Sequence, residues 1–266
     1  MTSNSKAIFK HFKLAKMLES DNIFVEYDER YEEELEEYNK ALENYNSNLT
    51  KKYPEKPTIK LVALIIGSEQ TPYAGGFFMF SLNFVKAYPN FPPEVTFLNV
   101  TNFNKGRLHP NLYHAALKGK VCLSLIGTWG KNTWDPYTSS IGEILLAIQA
   151  IVLVDDPLQS GEPPYNHKLS IRNSYSYSVT VLTFMDYILA TVEKMKSKTF
   201  QIQYIEPFRD IILNYFERHR ESYIKLYNNL IINTRINMNN NIITSDGRFL
   251  QAFYNITLIC NLLKLQ

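Results

Sequence analysis

Cys122 is the residue in this chain best suited to covalent chemistry. A thiol is nucleophilic at neutral pH even as a small thiolate fraction, and its acyl form resists water yet yields to amines. Eleven positions upstream stands Asn111, in the tripeptide His109-Pro110-Asn111. A side-chain amide can donate to the oxyanion that builds when an acylated thiol is attacked, and losing one such donor costs about 3–4 kcal/mol of transition-state stabilisation. Three histidines, His109, His114 and His167, could instead act as a base for Cys122, which would make a thiol hydrolase. Such an enzyme would lose activity with one histidine, whereas an acyl carrier would depend on Asn111. The second cysteine, Cys260, lies in an apolar stretch and reads as a core thiol.

Several function classes are disfavoured by composition. Among 266 residues, 28 are basic and 26 acidic, a formal charge of +2, so nucleic-acid binding through bulk charge is not expected. Two cysteines make neither a disulfide framework nor a zinc cluster, and point to a reducing compartment, the cytoplasm or nucleus. No metal or other cofactor is expected, and there is no glycine-rich phosphate loop. Met1–Lys16 lacks the apolar run of a signal peptide. The stretches Leu61–Ile66 and Ile144–Val154 are too short or too interrupted to cross a bilayer, so no membrane contact is expected.

The elements that must hold Cys122 are legible on either side of it. Ile8, Phe12, Ala15 and Leu18 have helical spacing and predict a first helix over Ser5–Leu18. Short strands are expected at Ile23–Tyr27, Thr58–Gly67, Phe77–Val85 and Val95–Leu98, the last three joined closely enough for an antiparallel meander. Between the first two, Glu26 to Glu43 holds nine acidic and two basic residues. Tyr31–Tyr45 reads as a helix there, and Glu32–Pro57 as an acidic, helical insertion closed by a proline loop at Lys51–Pro57. Thr101–Pro136 carries Cys122 and contains no long element, and long irregular segments in compact domains usually exist for function. Trp129 and Trp134 flank the cysteine as packing for that backbone. Helices follow over Ser139–Val154, Ser170–Lys196 and Glu206–Leu230, the first two separated by a proline-rich break at Asp155–Tyr165. An asparagine-rich loop is expected at Asn233–Asn241, and a last helix at Ile242–Leu265.

This order resembles the α+β fold of the ubiquitin-conjugating (UBC) family: an N-terminal helix, an antiparallel strand meander, an irregular active-site segment and C-terminal helices. The resemblance is carried by Thr71-Pro72-Tyr73, Gly76-Phe77-Phe78 and Phe80; by Tyr88-Pro89 with Pro92-Pro93; by His109-Pro110-Asn111; by Gly119 to Leu125 around Cys122; by Trp134-Asp135-Pro136; and by the helix after it. Each string alone is weak; together they keep the family's order over Thr71–Val154. Cys122 to Trp129 and Glu162-Pro163-Pro164-Tyr165-Asn166 resemble the extended subgroup, which includes the conjugating domain of the giant inhibitor-of-apoptosis protein. His114–Lys118 is extra relative to most members, as is the insertion. The resemblance implies a catalytic unit over residues 1–196, with the insertion at 32–57, and a C-terminal helical extension over 197–266 packed on it.

It also implies the chemistry. Cys122 would take ubiquitin as a thioester from an activating enzyme and release it to a substrate lysine, with Asn111 supporting the oxyanion or its loop. Pro110 would stiffen the approach, and His109 and Trp134 would be structural. Asp155 and Asp156 stand where the family often has an acidic gate. Asp156 is the favoured residue to orient the incoming lysine, which is otherwise protonated, with a pKa of about 10.4. Partners would be ubiquitin, its activating enzyme, a ubiquitin ligase and protein substrates. Lys6, Lys10, Lys13 and Lys16 would give the first helix a basic face toward the activating enzyme. The alternatives are a ubiquitin-like modifier, or a non-catalytic UBC-like binding module.

Overall fold

The computed structural model describes residues 3–28, 30–47, 53, 58–99, 107–112, 119–160, 167–197, 205–239 and 263. Four strands form one antiparallel sheet in chain order: β1 (Ile23–Tyr27), β2 (Lys60–Ile66), β3 (Phe77–Asn83) and β4 (Glu94–Phe97). The register sets Val25 opposite Ala63, Ala63 opposite Phe80, and Phe80 opposite Phe97.

Both faces of the central strands are buried. Side chains alternate along a strand, so Leu61, Ala63, Ile65, Phe78, Phe80 and Leu82 serve one core, while Val62, Leu64, Ile66, Phe77 and Met79 serve another. An antiparallel sheet with one wet face would alternate apolar with polar residues; the near-continuous apolar run of β2 is what a sheet covered on both sides requires.

Helix α1 (Ser3–Ala15) lies on the first core through Ile8, Phe12 and Ala15. It stops short of the expected Leu18: the next six residues, Lys16–Asp21, tighten into a 3-10 turn that ends on Asn22 in the left-handed region, φ 60°. Lys16 leaves the basic face of α1, because its Nζ bonds Glu26 of β1 at 2.6 Å and Glu19 at 3.1 Å. Lys6, Lys10 and Lys13 remain exposed. The acidic helix α2 (Arg30–Ser47) is tied to the sheet by Glu34 and Lys60, 2.6 Å apart. Of the expected loop after it only Tyr53 lies within the described residues, edge-on to Tyr45 at 5.1 Å. On the same face as α1, α3 (Ile141–Ala147) begins with a capping box: Ser140 Oγ accepts from Glu143 N–H and the Glu143 carboxylate accepts from Ser140 N–H. The helix continues through a wider π turn, Ile148–Val152.

The second core lies beyond the sheet. After a short α4 (Pro157–Ser160), α5 (Leu169–Leu182) runs through a π-helical stretch, Thr183–Leu189, into α6 (Ala190–Lys196). Phe184, Ile188, Val192 and Met195 from this rod meet Val62, Leu64 and Met79 of the sheet. Phe208, in the 3-10 turn Glu206–Phe208, and helices α7 (Arg209–Arg218) and α8 (Arg220–Asn239), through Ile212, Phe216, Tyr223 and Tyr227, complete it.

Two expectations are corrected here. The single helix over Glu206–Leu230 is broken at His219, whose φ of −102° and ψ of 15° leave the helical region. The break lets Phe216 and Tyr223 stack at 5.1 Å within one core. No glycine or proline marks it. The asparagine-rich loop at Asn233–Asn241 is instead helical as far as Asn239, since extending a nucleated helix costs little even with indifferent residues. The last expected helix, Ile242–Leu265, lies outside the described residues apart from Leu263. That residue is fully buried in the second core, and its carbonyl accepts from Arg220.

Phe208 is fully buried where the C-terminal helices meet the sheet's second face. Phe208→Ala is expected to lower the unfolding free energy by about 3–5 kcal/mol, in one urea transition. A two-step curve in which only the first step moves would mean that these helices unfold apart from the sheet.

Candidate active site

After β4 the chain returns along its edge. Gly119 O accepts from Phe97 N–H at 2.8 Å, and Lys120 bridges Thr96. Gly119 has φ +67°, and a Cβ there would stand 2.1 Å from Phe97 O, so only glycine allows this approach. Cys122 follows, 3% exposed and in no disulfide.

The structure brings Asn111 and Cys122 together. Leu112 and Val121 form an isolated antiparallel bridge, and Cys122 N–H donates to Asn111 O at 2.9 Å. In the other direction, the Asn111 side-chain amide donates to Cys122 O at 2.9 Å. Asn111 is 5% exposed, and its Oδ1 is buried without a hydrogen-bond partner.

The tripeptide turn is held by side chains from three directions. Asn111 N–H donates to His109 Nδ1 at 2.9 Å. That bond requires a lone pair on Nδ1, so a neutral His109 carries its proton on Nε2. Burial, with a smaller push from Arg107, lowers the His109 pKa to about 3. So weak a base is poorly suited to activate a thiol. Arg107 also donates to Pro110 O. Tyr73 of the turn before β3 donates its phenol to Leu108 O at 2.8 Å, and Tyr175 of α5 donates to Arg107 O at 2.9 Å.

Trp134 packs against Tyr88, with ring centroids 6.0 Å apart, and donates from its indole to Pro89 O at 2.7 Å. It thereby ties the loop before α3 to the loop before β4. Asp156 lies after the π turn that ends α3. Its Oδ2 accepts from Arg172 of α5 (Nε at 2.6 Å) and its Oδ1 caps α4 through Gln159 N–H at 3.1 Å. Asp155 is exposed and accepts from Asp156 N–H. Cys260, His114, the extra loop His114–Lys118 and the string Glu162–Asn166 lie outside the described residues. Among the described residues no group of His, Cys, Asp or Glu is arranged to hold a metal ion, and no helix is long and apolar enough to cross a membrane.

The sequence profile described as "Ubiquitin-conjugating enzyme" matches residues 30–179, more than half of the chain and the whole of this site. The chain belongs to the ubiquitin-conjugating enzyme family. An Arabidopsis thaliana relative named as ubiquitin-conjugating enzyme E2 39 is 41% identical over 133 residues, 47% of this chain and 39% of the relative. The human dual E2 ubiquitin-conjugating enzyme/E3 ubiquitin-protein ligase BIRC6 is 42% identical over 105 residues, 38% of this chain and 2% of that one. Among solved structures, a ubiquitin-conjugating enzyme from Plasmodium yoelii aligns over 69% of this chain and 94% of its own, at 22% identity and a TM-score of 0.43. The matched region thus spans well under half the length of these two sequence relatives.

Sequence reasoning missed three side chains that shape this family site. Thr128 was visible only as one letter of the string after Cys122, yet its hydroxyl lies among the backbone groups on both sides of the cysteine. Arg107 and Tyr175 gave no signal at all, because neither spacing nor motif marks a side chain that bonds a distant carbonyl.

The buried His109 makes a pH prediction. Its pKa is depressed in the fold, from an ordinary 6.5 to about 3, so below pH 6.5 the unfolded chain binds a proton that the folded chain does not. Its contribution to stability is therefore complete above pH 6.5 and is lost as the pH falls toward 3. His109→Gln is expected to be less stable than the parent at pH 7, but to lose stability with acid less steeply, by up to about 1.4 kcal/mol per pH unit. Equal slopes in urea titrations would mean that His109 takes up its proton without unfolding.

Proposed function

We propose that this chain is a ubiquitin-conjugating acyl carrier. The Cys122 thiolate attacks the thioester presented by an activating enzyme, that enzyme's thiolate leaves, and the C-terminal glycine of ubiquitin is then bonded to Sγ. A deprotonated lysine amine next attacks the carbonyl carbon, an oxyanion forms, the nitrogen gives up its proton to water, the carbon–sulfur bond breaks, and Cys122 leaves as thiolate. The observation that carries this reading is the reciprocal pair of bonds between Asn111 and Cys122, which fixes an amide donor beside the thiol's own peptide. The amide has a second N–H to offer an oxyanion. Loading requires some opening of the site, because Cys122 is only 3% exposed.

Around this centre, Lys6, Lys10 and Lys13 supply a basic face for an acidic surface of the activating enzyme. A ubiquitin ligase and lysine-bearing protein substrates complete the partners. A thiol carrier needs a reducing compartment, the cytoplasm or the nucleus.

The test is charging with ubiquitin, its activating enzyme and ATP, read on gels with and without thiol. The protein is expected to form a thiol-sensitive adduct that Cys122→Ala abolishes and Cys122→Ser makes thiol-resistant. Asn111→Ala is expected to discharge to lysine about a hundredfold or more slowly, a far larger loss than it shows in charging. An adduct only with a ubiquitin-like modifier would change the cargo and keep the chemistry. With no adduct from any modifier, the chain would be a UBC-shaped binding module.

Asp156 is the third residue of the proposal. To orient the incoming amine its carboxylate must share its bond to Arg172 with that amine. Asp156→Asn is then expected to slow discharge onto lysine while charging stays unchanged. Equal discharge rates would limit Asp156 to capping α4 and pairing with Arg172.

A further inference from the structure

Two peptide planes flank the Cys122 α-carbon, and together they present four polar groups. Two residues satisfy all four. In the plane joining Val121 to Cys122, the N–H donates to Asn111 O at 2.9 Å, and the Val121 carbonyl accepts from the Thr128 hydroxyl at 2.8 Å. In the plane joining Cys122 to Leu123, the Cys122 carbonyl accepts from the Asn111 amide at 2.9 Å, and the Leu123 N–H donates to Thr128 Oγ1 at 2.9 Å. Each plane is pinned at one end by Asn111 and at the other by Thr128. The hydroxyl has one proton, and the longer contact at 3.3 Å to Leu123 O competes for it. Thr128 also donates its own N–H to Leu123 O at 3.2 Å.

We infer that Thr128 is a positioning residue for Cys122: its hydroxyl and the Asn111 amide form one clamp that fixes both backbone torsions of the nucleophile. The inference rests on the acyl-carrier reading of Cys122 for its catalytic consequence, but not for the clamp itself. Val121 and Leu123 are buried, so the groups that Thr128 holds have little recourse to water if it lets go. With those groups unpartnered the peptides can rotate, and Sγ moves away from the line of attack. Reactions of this kind tolerate little misplacement of the reacting atoms.

Thr128→Val keeps the shape of the side chain and removes the hydroxyl, while Thr128→Ser keeps the hydroxyl. On the full chain, Thr128→Val removes both of the hydroxyl's close hydrogen bonds and is expected to lower the maximal rates of charging and of discharge to lysine by about tenfold. The half-saturating concentration of activating enzyme should not move, and neither should the thermal midpoint by more than a few degrees. Thr128→Ser should restore both rates. Because both residues hold the same two peptides, Thr128→Val added to Asn111→Ala should cost less than the product of the separate losses. A second readout needs no ubiquitin: the pH profile of iodoacetamide alkylation at Cys122, followed by mass spectrometry of its peptide. It should shift in Thr128→Val and return in Thr128→Ser.

The clamp is overturned if Thr128→Val keeps parental rates and the parental alkylation profile. It is equally overturned if Thr128→Ser is as slow as Thr128→Val, if the losses multiply independently, or if the rate falls only with the folded fraction. Should the parent fail to charge with any modifier, the acyl-carrier reading fails. The alkylation profile alone would then decide whether Thr128 holds Cys122.

Discussion

A buried stretch of backbone outside any helix or sheet still has to find a partner for every N–H and C=O, and around Cys122 that requirement shapes everything else. The Cys122 segment meets β4 through the Thr96–Lys120 bridge and the tripeptide turn through the Leu112–Val121 bridge. Among the described residues side chains supply many of the remaining partners: Asn111 and Thr128 at the cysteine, His109 at Asn111, Tyr73 at Leu108 and Tyr175 at Arg107. That requirement accounts for the buried His109 and Asn111 in a largely apolar interior. It also means that each of these side chains has a structural duty before it has a chemical one. The Asn111 amide is the clearest case, since one of its N–H groups is already committed to the Cys122 carbonyl.

His109 shows how such a duty removes a chemical option. Its Nδ1 is spent on the Asn111 N–H and burial depresses its basicity, so His109, one of the three histidines that could serve a thiol hydrolase as its base, is poorly suited to that task. His167 is half-buried at the start of the α5 region, where Lys168 begins the helix.

What the sequence made legible, and what it hid, divides along the same line. The four strands, the first helix and the rod from α5 through α6 were readable, because alternation and helical spacing are imposed by burial on every residue of an element. Cys122 and Asn111 were readable through motif order. Thr128, Arg107 and Tyr175 were not, because a side chain that bonds one remote carbonyl leaves no periodic trace. The break at His219 was hidden for a related reason: the apolar pattern on either side of it belongs to one core, so periodicity continues across a turn that the backbone does not respect. The asparagines after Ile232 misled in the opposite direction, their turn preference being too small to stop a helix already under way.

The covering of the sheet's second face bears on the site through a short series of contacts. Tyr223 of α8 donates its phenol to Gly75 O at 2.9 Å, and the ring sits so close that a Cβ on Gly75 would meet it at 2.8 Å. Gly75 has φ +69° and closes the turn that presents Tyr73. Tyr73 in turn holds Leu108, one residue before the tripeptide. The π-helical stretch of the C-terminal rod joins in, since Tyr187 lies 5.1 Å from Phe78 and 5.9 Å from Phe97, the residue whose carbonyl crowds Gly119. The C-terminal helices therefore bear on the turns that aim Asn111 and on the strand edge along which Cys122 is laid. A side chain on irregular backbone gains its positional accuracy from whatever is rigid beneath it, and for Cys122 and Asn111 that support is a sheet held between two cores.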